Sequence, residues 1–272
     1  MKTRLLFLFR TFLAGLLLAA GPVAAAGDCP RIVSQSPYLS VALDWLGRGH
    51  CIVGVSRYDR LFDTLPRTGG VMDPDAETID LLGPDLLVAS NWASEETLRK
   101  VLPAGARLLR VDGFTSVADA ENMLRELGRA SGAPDVDVRL AAFHKEWTAA
   151  AAAIRGEGRR ALVLSACEGS PYSFGRGHFV GDAFVQAGFD VVETAPRLRH
   201  IRPGEEIEDL LTAVETLKPQ VVFSLDRATA AQCSALLGIL PVEVVHLGGE
   251  NFFHPGAGVL AGYAELAQKM KR

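Results

Sequence analysis

The sequence lacks the patterns that mark several common classes of protein. It has 28 basic against 32 acidic residues, a net charge of −4, and no stripe rich in lysine or arginine. Nucleic-acid binding needs such a stripe to neutralise phosphates, so we predict no nucleic-acid partner. No serine stands in G-x-S-x-G and no carboxylate pair is evident. The sequence therefore gives no positive sign of catalysis.

Cysteine is also scarce, with four residues and no C-x-x-C or Cys/His spacing typical of a zinc site. Disulfides are nevertheless possible in an exported chain. Cys29 and Cys51 each precede a predicted strand, and they meet if those strands are parallel neighbours. A bridge between Cys167 and Cys233 has less support, and the pairing stays open.

The first 26 residues have the layout of a secretory signal peptide. Basic residues open the segment, an apolar run over 11–20 follows, and a small-residue stretch ends at Ala26. The apolar run is too short for a membrane span. A lipid-attachment site needs a cysteine directly after a small residue, whereas Cys29 follows Asp28. We expect export, cleavage near Ala26 and a soluble mature chain.

The sequence contains a quasi-repeat. Residues 79–88 read I-D-L-L-G-P-D-L-L-V, and residues 214–223 read V-E-T-L-K-P-Q-V-V-F, 135 positions later. In each copy a helical pattern runs into proline, which cannot extend a helix, and then into an apolar run typical of a buried strand. The repeat predicts two similar lobes with a ligand cleft between them.

Strands alternate with helices along both halves, which indicates an α/β fold of two Rossmann-like lobes with parallel sheets. Residues 135–155 contain no glycine or proline and predict one long helix. At 1.5 Å per residue it spans about 30 Å, enough to join both lobes. The predicted divisions are a signal peptide over 1–26, an N-terminal lobe over 27–133, a bridging helix over 134–157 and a C-terminal lobe over 158–272.

Loops after the predicted strands are rich in aromatic and arginine side chains. Ligands of open parallel sheets bind at the carboxyl ends of the strands, where loops converge. Aromatic rings and arginines suit a bulky ligand that is partly aromatic or anionic. The candidate ligand-binding residues are Tyr38, Arg57, Tyr58, Trp92, Tyr172, Arg176, His178, Arg199 and His254. No intrinsic cofactor is expected.

A metal site among the cleft histidines is an open alternative. His178, His200 and His254 fall on the predicted cleft side, and Glu168, Glu250 or a tyrosine could complete a ligand set. Direct coordination needs three or four converging ligands, and loop histidines are more often solvated or hydrogen-bonded. We therefore assign no residue as a metal ligand.

The glycine-rich stretch G-R-G-H-F-V-G over 175–181 departs from a dinucleotide-binding fingerprint. Its third glycine comes one position late, and the stretch lies well beyond the preceding predicted strand. We interpret residues 168–178 as a flexible loop that presents Arg176 and His178 to the cleft.

Several segments along the whole mature chain are characteristic when taken together. They are R-I-V-S-Q-S-P over 31–37, I-V-G-V-S-R-Y over 52–58, the stretch 69–88 that opens with G-G, the lone long helix, and N-F-F-H-P over 251–255. This series resembles the periplasmic binding proteins of ABC importers that carry ferric siderophores, haem or cobalamin. The resemblance implies two lobes with little hinge motion.

The same resemblance implies a monomeric periplasmic receptor. It would hold a small-molecule metal chelate by aromatic and arginine side chains and deliver it to the permease dimer of an ABC importer. An exposed acid on each lobe would meet permease arginines, with Glu95 or Glu96 on the first lobe and Glu205, Glu206 or Glu208 on the second. Such acids are also ordinary at helix N-termini, where the helix dipole favours them.

The arginines rank an anionic siderophore first among the cargoes, followed by cobalamin and haem. Haem becomes a stronger candidate if Tyr58, His178 or His254 can reach its iron as an axial ligand. Two other interpretations stay open. One is a receptor for a bare transition metal held by cleft histidines, and the other is an exported enzyme of the chelatase kind.

Overall fold

The structure of the protein is a computed structural model that describes residues 29–167, 169–226 and 233–271. The predicted signal peptide and Glu168 lie outside these residues. Within the described ranges, no helix combines the length and the apolar character needed to cross a membrane.

Four parallel strands form the first sheet, in the order β2-β1-β3-β4. They are β1 (Ile32–Ser34), β2 (Ile52–Val55), β3 (Leu86–Ser90) and β4 (Arg107–Val111). Every residue of β1 and β3 is buried. Central strands of a parallel sheet are covered on both faces by helices, which explains their unbroken apolar runs.

Helices follow the first four strands, and three of these helices are capped by short polar side chains. They are α1 (Pro37–Trp45), α2 (Ala76–Leu82), α3 (Glu95–Lys100) and α4 (Val117–Ala130). The side chains of Asp75, Ser94 and Ser116 accept hydrogen bonds from backbone N–H groups of α2, α3 and α4. These caps satisfy N–H groups that have no partner inside the helix and fix where each helix begins.

The second sheet has the order β10-β9-β5-β6-β8, with β7 beside β5. Its strands are β5 (Arg160–Ser165), β6 (Tyr172–Phe174), β7 (Asp190–Val191), β8 (Leu198–His200), β9 (Val221–Asp226) and β10 (Glu243–Gly248). The α/β class is confirmed, but β6 and β8 run antiparallel to their neighbours. The prediction that residues 168–178 form a loop was wrong for β6. A strand of three residues is too short to show an alternating pattern in the sequence.

Five helices lie in the second half of the described chain, and the first of them precedes the second sheet. They are α5 (Val136–Ile154), α6 (Phe179–Gln186), α7 (Leu210–Leu217), α8 (Glu250–Phe253) and α9 (Val259–Lys269). Helix α5 is the long helix predicted over 135–155. Short 3-10 helices cover Gly49–Cys51 and Ala235–Ile239.

The quasi-repeat corresponds to two equivalent helix-to-strand junctions. Helix α2 ends at Gly83 and α7 ends at Lys218, both in the left-handed region with φ of 52° and 49°. This conformation closes a helix, and proline follows in each copy because it cannot extend one.

The repeat also extends to residues outside the matching segments. Arg31 donates from Nε to the carbonyl oxygen of Gly83 at 3.2 Å, and Arg160 donates from Nε to that of Lys218 at 2.9 Å. The backbone N–H of each arginine donates in turn to a side chain after the proline, that of Asp85 or Gln220. The two halves thus share the same hydrogen bonds between the start of one strand and the end of a helix.

Helix α5 packs on both halves of the molecule. Its contacts are with α4 on one side and with α6 and α9 on the other. One buried stripe supplies them, formed by Val136, Leu140, Phe143, Trp147, Ala151 and Ile154. This spacing of three and four residues places all six on one helix face. One apolar cluster therefore includes residues of both halves, and the lobe limits at 133 and 158 stay a prediction.

The two halves also meet directly at the start of α6. The carboxylate of Asp182 accepts a hydrogen bond from the backbone N–H of Val117 at 2.8 Å. The backbone N–H of Phe179 donates to the carbonyl oxygen of Phe114 at 2.7 Å. A side chain of one half therefore accepts from the first turn of α4 in the other, where free N–H groups and the helix dipole favour a carboxylate.

Two disulfides are present among the described residues. Cys29 and Cys51 are bonded, with their Cα atoms 6.0 Å apart, beside the paired strands β1 and β2. The parallel pairing that the sequence predicted brings them together. Cys167 and Cys233 are also bonded, which the sequence supported less because only the folded sheet brings them near each other.

We predict that Asp182→Ala lowers the free energy of unfolding by about 1–3 kcal/mol, because it leaves the buried N–H of Val117 without its acceptor. Asp182→Asn keeps an acceptor oxygen and should lose less. Urea denaturation measures the change, with the exposed acid Asp80→Ala as a matched control. Equal stability of Asp182→Ala and the wild type would contradict a role for this contact.

Candidate functional site

A cleft of about 750 Å³ opens at the carboxyl ends of the first-sheet strands. Twelve of its fourteen lining residues come from the first half of the chain, and Glu250 and His254 of the α8 region come from the second. The volume is within the usual range for small-molecule sites. This concave surface lies at the ends of the strands, where the sequence predicted a ligand.

One long loop, residues 57–73, forms most of the cleft wall and is called the wall loop below. It connects β2 with the cap of α2 and supplies eight lining residues: Arg57, Tyr58, Asp59, Arg60, Leu61, Val71, Met72 and Asp73. Arg57 forms an ion pair with Asp73, so the two ends of the loop are tied together. The guanidinium carbon of Arg57 lies 5.8 Å from the ring centroid of Tyr58.

The cleft surface carries large apolar side chains exposed to solvent. Tyr58 is 60% exposed, Trp92 54% and Met72 67%. Folding ordinarily buries such side chains, and an exposed group of them inside a concavity is typical of a binding surface. A ligand with an extended apolar face would remove this area from water.

Aromatic rings surround Tyr38 at the base of the cleft. Its ring centroid lies 5.9 Å from that of Trp92, 5.3 Å from that of Phe114 and 4.9 Å from that of His254, all edge to face. Such edge-to-face pairs are favourable and restrict the motion of each ring. The group joins both halves of the chain, because His254 belongs to the second and the other three to the first.

His254 is oriented by a neighbouring acid. Its Nε2 lies 3.0 Å from Oε2 of Glu250, one helical turn earlier, and its side chain is 18% exposed. Five of the nine predicted binding residues therefore line the cleft together: Tyr38, Arg57, Tyr58, Trp92 and His254.

Two of the remaining candidates make contacts within the second half of the chain. The ring of Tyr172 packs edge to face against Phe174, with centroids 5.3 Å apart. The guanidinium of Arg176 donates to the carbonyl oxygen of Val191 and pairs with Asp190. Asp190 pairs with the start of β5, at the opposite end of the sheet from the cleft. Neither Tyr172 nor Arg176 lines the cleft.

Arg199 is held in a buried ion-pair network. Its Nε lies 2.9 Å from Glu193, whose side chain is fully buried, and it also pairs with Glu206. Burial alone would lower the pKa of Arg199, but the hydrogen bonds with both carboxylates outweigh burial and raise it. This arginine neutralises a buried acid, so its charge is already compensated within the sheet.

His178 has a structural contact instead of a place in the cleft. It caps α6, with Nδ1 accepting a hydrogen bond from the backbone N–H of Val180 at 3.1 Å. Its ring lies 4.9 Å from that of Phe174. Burial, with a smaller effect from the positive charge of Arg197, lowers the pKa of His178 to about 4. The ring is therefore neutral at neutral pH.

The sequence prediction missed most of the wall loop. Arg60, Leu61, Met72 and Asp73 line the cleft but were not among the candidates. The only signal available was their position in a long segment between β2 and α2 with no strand or helix of its own. Loops of this length are uncommon in compact domains and often functional.

The acids predicted to dock a permease lie on the same side of the molecule as the strand ends. Glu95 and Glu96 open α3 and form ion pairs with Arg99 and Lys100 one turn later. Glu206 and Glu208 precede α7 and are exposed, although Glu206 pairs with Arg199. All four are solvent-exposed, so each half carries acidic groups on its surface.

Metal-ligand groups among the described residues lie away from the cleft. The two sets of three converging side chains are Cys29, His50 and Cys51, and Cys167, Asp226 and Cys233. In both sets the cysteines form disulfides, and no lining residue of the cleft belongs to either set.

The fold and cleft define a class of protein: a two-lobed α/β binding protein with one helix spanning both lobes. Residues 36–232 match the model of the periplasmic binding protein family. The chain belongs to this family.

Solved structures show the same fold at low sequence identity. The haem-binding protein RhuT of Roseiflexus sp. RS-1 is 21% identical, with a TM-score of 0.72 over 88% of this chain and 97% of that one. The vitamin B12-binding protein BtuF of Vibrio cholerae is 19% identical, with a TM-score of 0.69 over 89% and 97%. The siderophore-binding protein BauB is 16% identical, with a TM-score of 0.66 over 89% and 93%. No curated protein sequence matches the chain.

We predict that His178 makes the protein less stable in mild acid. Its folded pKa of about 4 lies below the ordinary 6.5, so the unfolded chain binds the proton first as pH falls. The contribution of neutral His178 to the free energy of unfolding is complete above pH 6.5. It is lost as the pH falls toward 4, by about 3 kcal/mol at most. His178→Asn keeps a capping oxygen and does not titrate. Urea denaturation across this pH range should give a flatter profile for the variant, and an unchanged slope would contradict the prediction.

Proposed function

We propose that the protein is the periplasmic receptor of an ABC importer and that its cargo is an iron tetrapyrrole, haem. Family membership supports the receptor role, because periplasmic binding proteins bind a small molecule for import. The cargo assignment depends on the cleft, in particular on the exposed side chain of Tyr58 beside Arg57, in a cleft that also contains Tyr38 and Trp92.

The arginines favour this cargo over an anionic siderophore. The preference for a siderophore rested on several cleft arginines, but Arg176 and Arg199 pair with acids elsewhere. Arg57 and Arg60 remain at the cleft. Two guanidinium groups beside several aromatic rings suit a flat conjugated ring with two carboxylates, because arginine binds a carboxylate bidentately.

Tyr58 is the side chain best suited to ligate the iron, because it is exposed, whereas Nε2 of His254 is held by Glu250 and its Nδ1 is buried. Tyrosine and histidine are both known axial ligands of haem iron. Tyr58 stands on the wall loop and His254 on the opposite half of the chain, and both line the cleft, so a planar cargo could lie between their rings. Trp92, Tyr38 and Met72 would cover its apolar surface.

Cobalamin and siderophores are the alternative cargoes, since structural neighbours are described as binding them. A bare transition metal has less support, because no group of three ligands converges among the described cleft residues. An exported enzyme is also less supported, because the family and its structural neighbours are binding proteins.

Export of a monomer to the periplasm completes the proposal. The family is periplasmic, and the N-terminal pattern of 1–26 supplies a route of export through a cleaved signal peptide. The partner would be the permease dimer of an importer at the inner membrane, met by the acids of both lobes.

We predict that the purified protein binds ferric haem at micromolar concentration or below, measured by absorbance titration. Tyr58→Phe should change the absorbance spectrum of the bound iron and weaken binding by about tenfold or more. Arg57→Ala should weaken binding without changing the spectrum.

Arg176→Ala and Tyr172→Phe are the matched controls, since both residues lie outside the cleft, and they should bind like the wild type. Parallel titrations with cobalamin and an iron-loaded siderophore test the cargo. Binding of one of these without haem would overturn the cargo assignment and keep the receptor role. Binding of none would overturn both.

We also predict that the double variant Glu96→Lys, Glu208→Lys binds haem normally but no longer stimulates ATP hydrolysis by its importer in proteoliposomes. Reversing one charge on each lobe repels the permease arginines. Glu126→Lys, Glu215→Lys is the control, because these exposed acids lie toward the C-terminal ends of α4 and α7, away from the strand ends. Full stimulation by the first variant would contradict this docking surface.

A further inference from the structure

The wall loop must keep its shape without strands or helices. It supplies more than half of the cleft-lining residues, yet 57–73 contains only isolated bridges to neighbouring backbone. A long irregular loop loses conformational entropy when it is ordered, so specific contacts must hold it. The side chain of Gln35 provides the most complete set of such contacts.

Gln35 lies directly after β1 and is fully buried. Its Nε2 donates to the carbonyl oxygens of Thr68 at 2.9 Å and Gly70 at 2.7 Å. Its Oε1 accepts a hydrogen bond from Oγ1 of Thr68 at 2.7 Å. Both amide hydrogens and one acceptor site are used, a pattern that a carboxylate or hydroxyl cannot reproduce.

The segment held by Gln35 in turn positions the cleft residues. The carbonyl oxygen of Gly69, between the two anchored carbonyls, accepts the backbone N–H of Arg57 at 2.7 Å, and Gly70 donates to the carbonyl oxygen of Asp73 at 3.1 Å. Gly69 has a φ of 84°, and a Cβ there would lie 2.6 Å from the Asp73 carbonyl oxygen. The backbone at this point is therefore closely packed and glycine-dependent.

Gln35 is itself fixed to the sheet. Its backbone N–H donates to the carbonyl oxygen of Val88 in β3 at 2.9 Å. A rigid central strand thus connects through one amide side chain to the loop that carries Arg57, Tyr58 and Met72. A buried polar group with all its bonds satisfied specifies one arrangement, because any other leaves the group unpaired in a dry environment.

We propose that Gln35 is a positioning residue that sets the cleft wall for its cargo, with Thr68 as its partner. The effect on cargo rests on the proposed function, whereas the effect on the loop does not. Without the amide, the wall loop samples other conformations, and cargo binding must first restore the competent one.

The test uses Gln35→Met, which keeps the shape and removes the polar atoms, together with Thr68→Val and the conservative Thr68→Ser. Ser131→Ala is the control, because it removes a buried hydrogen bond at the end of α4 far from the cleft. Amide hydrogen exchange of cargo-free protein measures how often the wall loop opens. Absorbance titration with ferric haem measures the affinity of the cleft for its cargo.

Gln35→Met and Thr68→Val should speed amide exchange in 57–73, leave exchange in α4 and α5 unchanged, and weaken haem binding by about tenfold. Thr68→Ser should behave like the wild type, and Ser131→Ala should bind haem normally. Unchanged exchange in 57–73 in folded Gln35→Met would overturn the proposal. Faster exchange with unchanged haem affinity would overturn its link to cargo. If the wild type binds no haem, the proposed cargo fails and the exchange result still decides the positioning role.

Discussion

The structure depends on the shared apolar core through which helix α5 holds the two halves together. Its buried stripe packs on α4, α6 and α9, and one apolar cluster includes residues of both halves. Removing such a face from water is the main favourable term in folding. The hydrogen bond from the backbone N–H of Val117 to the carboxylate of Asp182 adds a directional contact between the halves. The distance across the cleft is therefore set when the protein folds.

Because α5 holds the two halves in a fixed arrangement, the cleft between them can be built from loops. The wall loop has no regular structure, but it begins and ends on elements of the first sheet and is tied by the Arg57–Asp73 pair. His254 reaches the same cavity from the other half, where it meets Tyr38. Binding residues on loops are ordinary when a rigid scaffold positions them, and here the scaffold is the sheet together with α5.

Ion pairs with neighbouring acids hold two candidate arginines in the second half of the chain, away from the cleft. Arg176 and Arg199 have the chemistry of ligand-binding residues, but acids on neighbouring strands neutralise them. Glu193 is fully buried, and an unpaired carboxylate there would be costly. The fold therefore uses two of the three candidate arginines to stabilise its second half and leaves Arg57 at the cleft, beside Arg60, which the sequence did not predict.

The sequence by itself determined the alternation of strands and helices, the long helix, and the two equivalent junctions at Pro84 and Pro219. These follow from local periodicity and from residues that end helices, which act within a few positions of the chain. Only the tertiary structure decided that β6 and β8 are strands, that His178 caps α6, and that Arg199 meets Glu193. Each depends on a partner brought close by packing, and the sequence gives no signal for which polar side chain will find one.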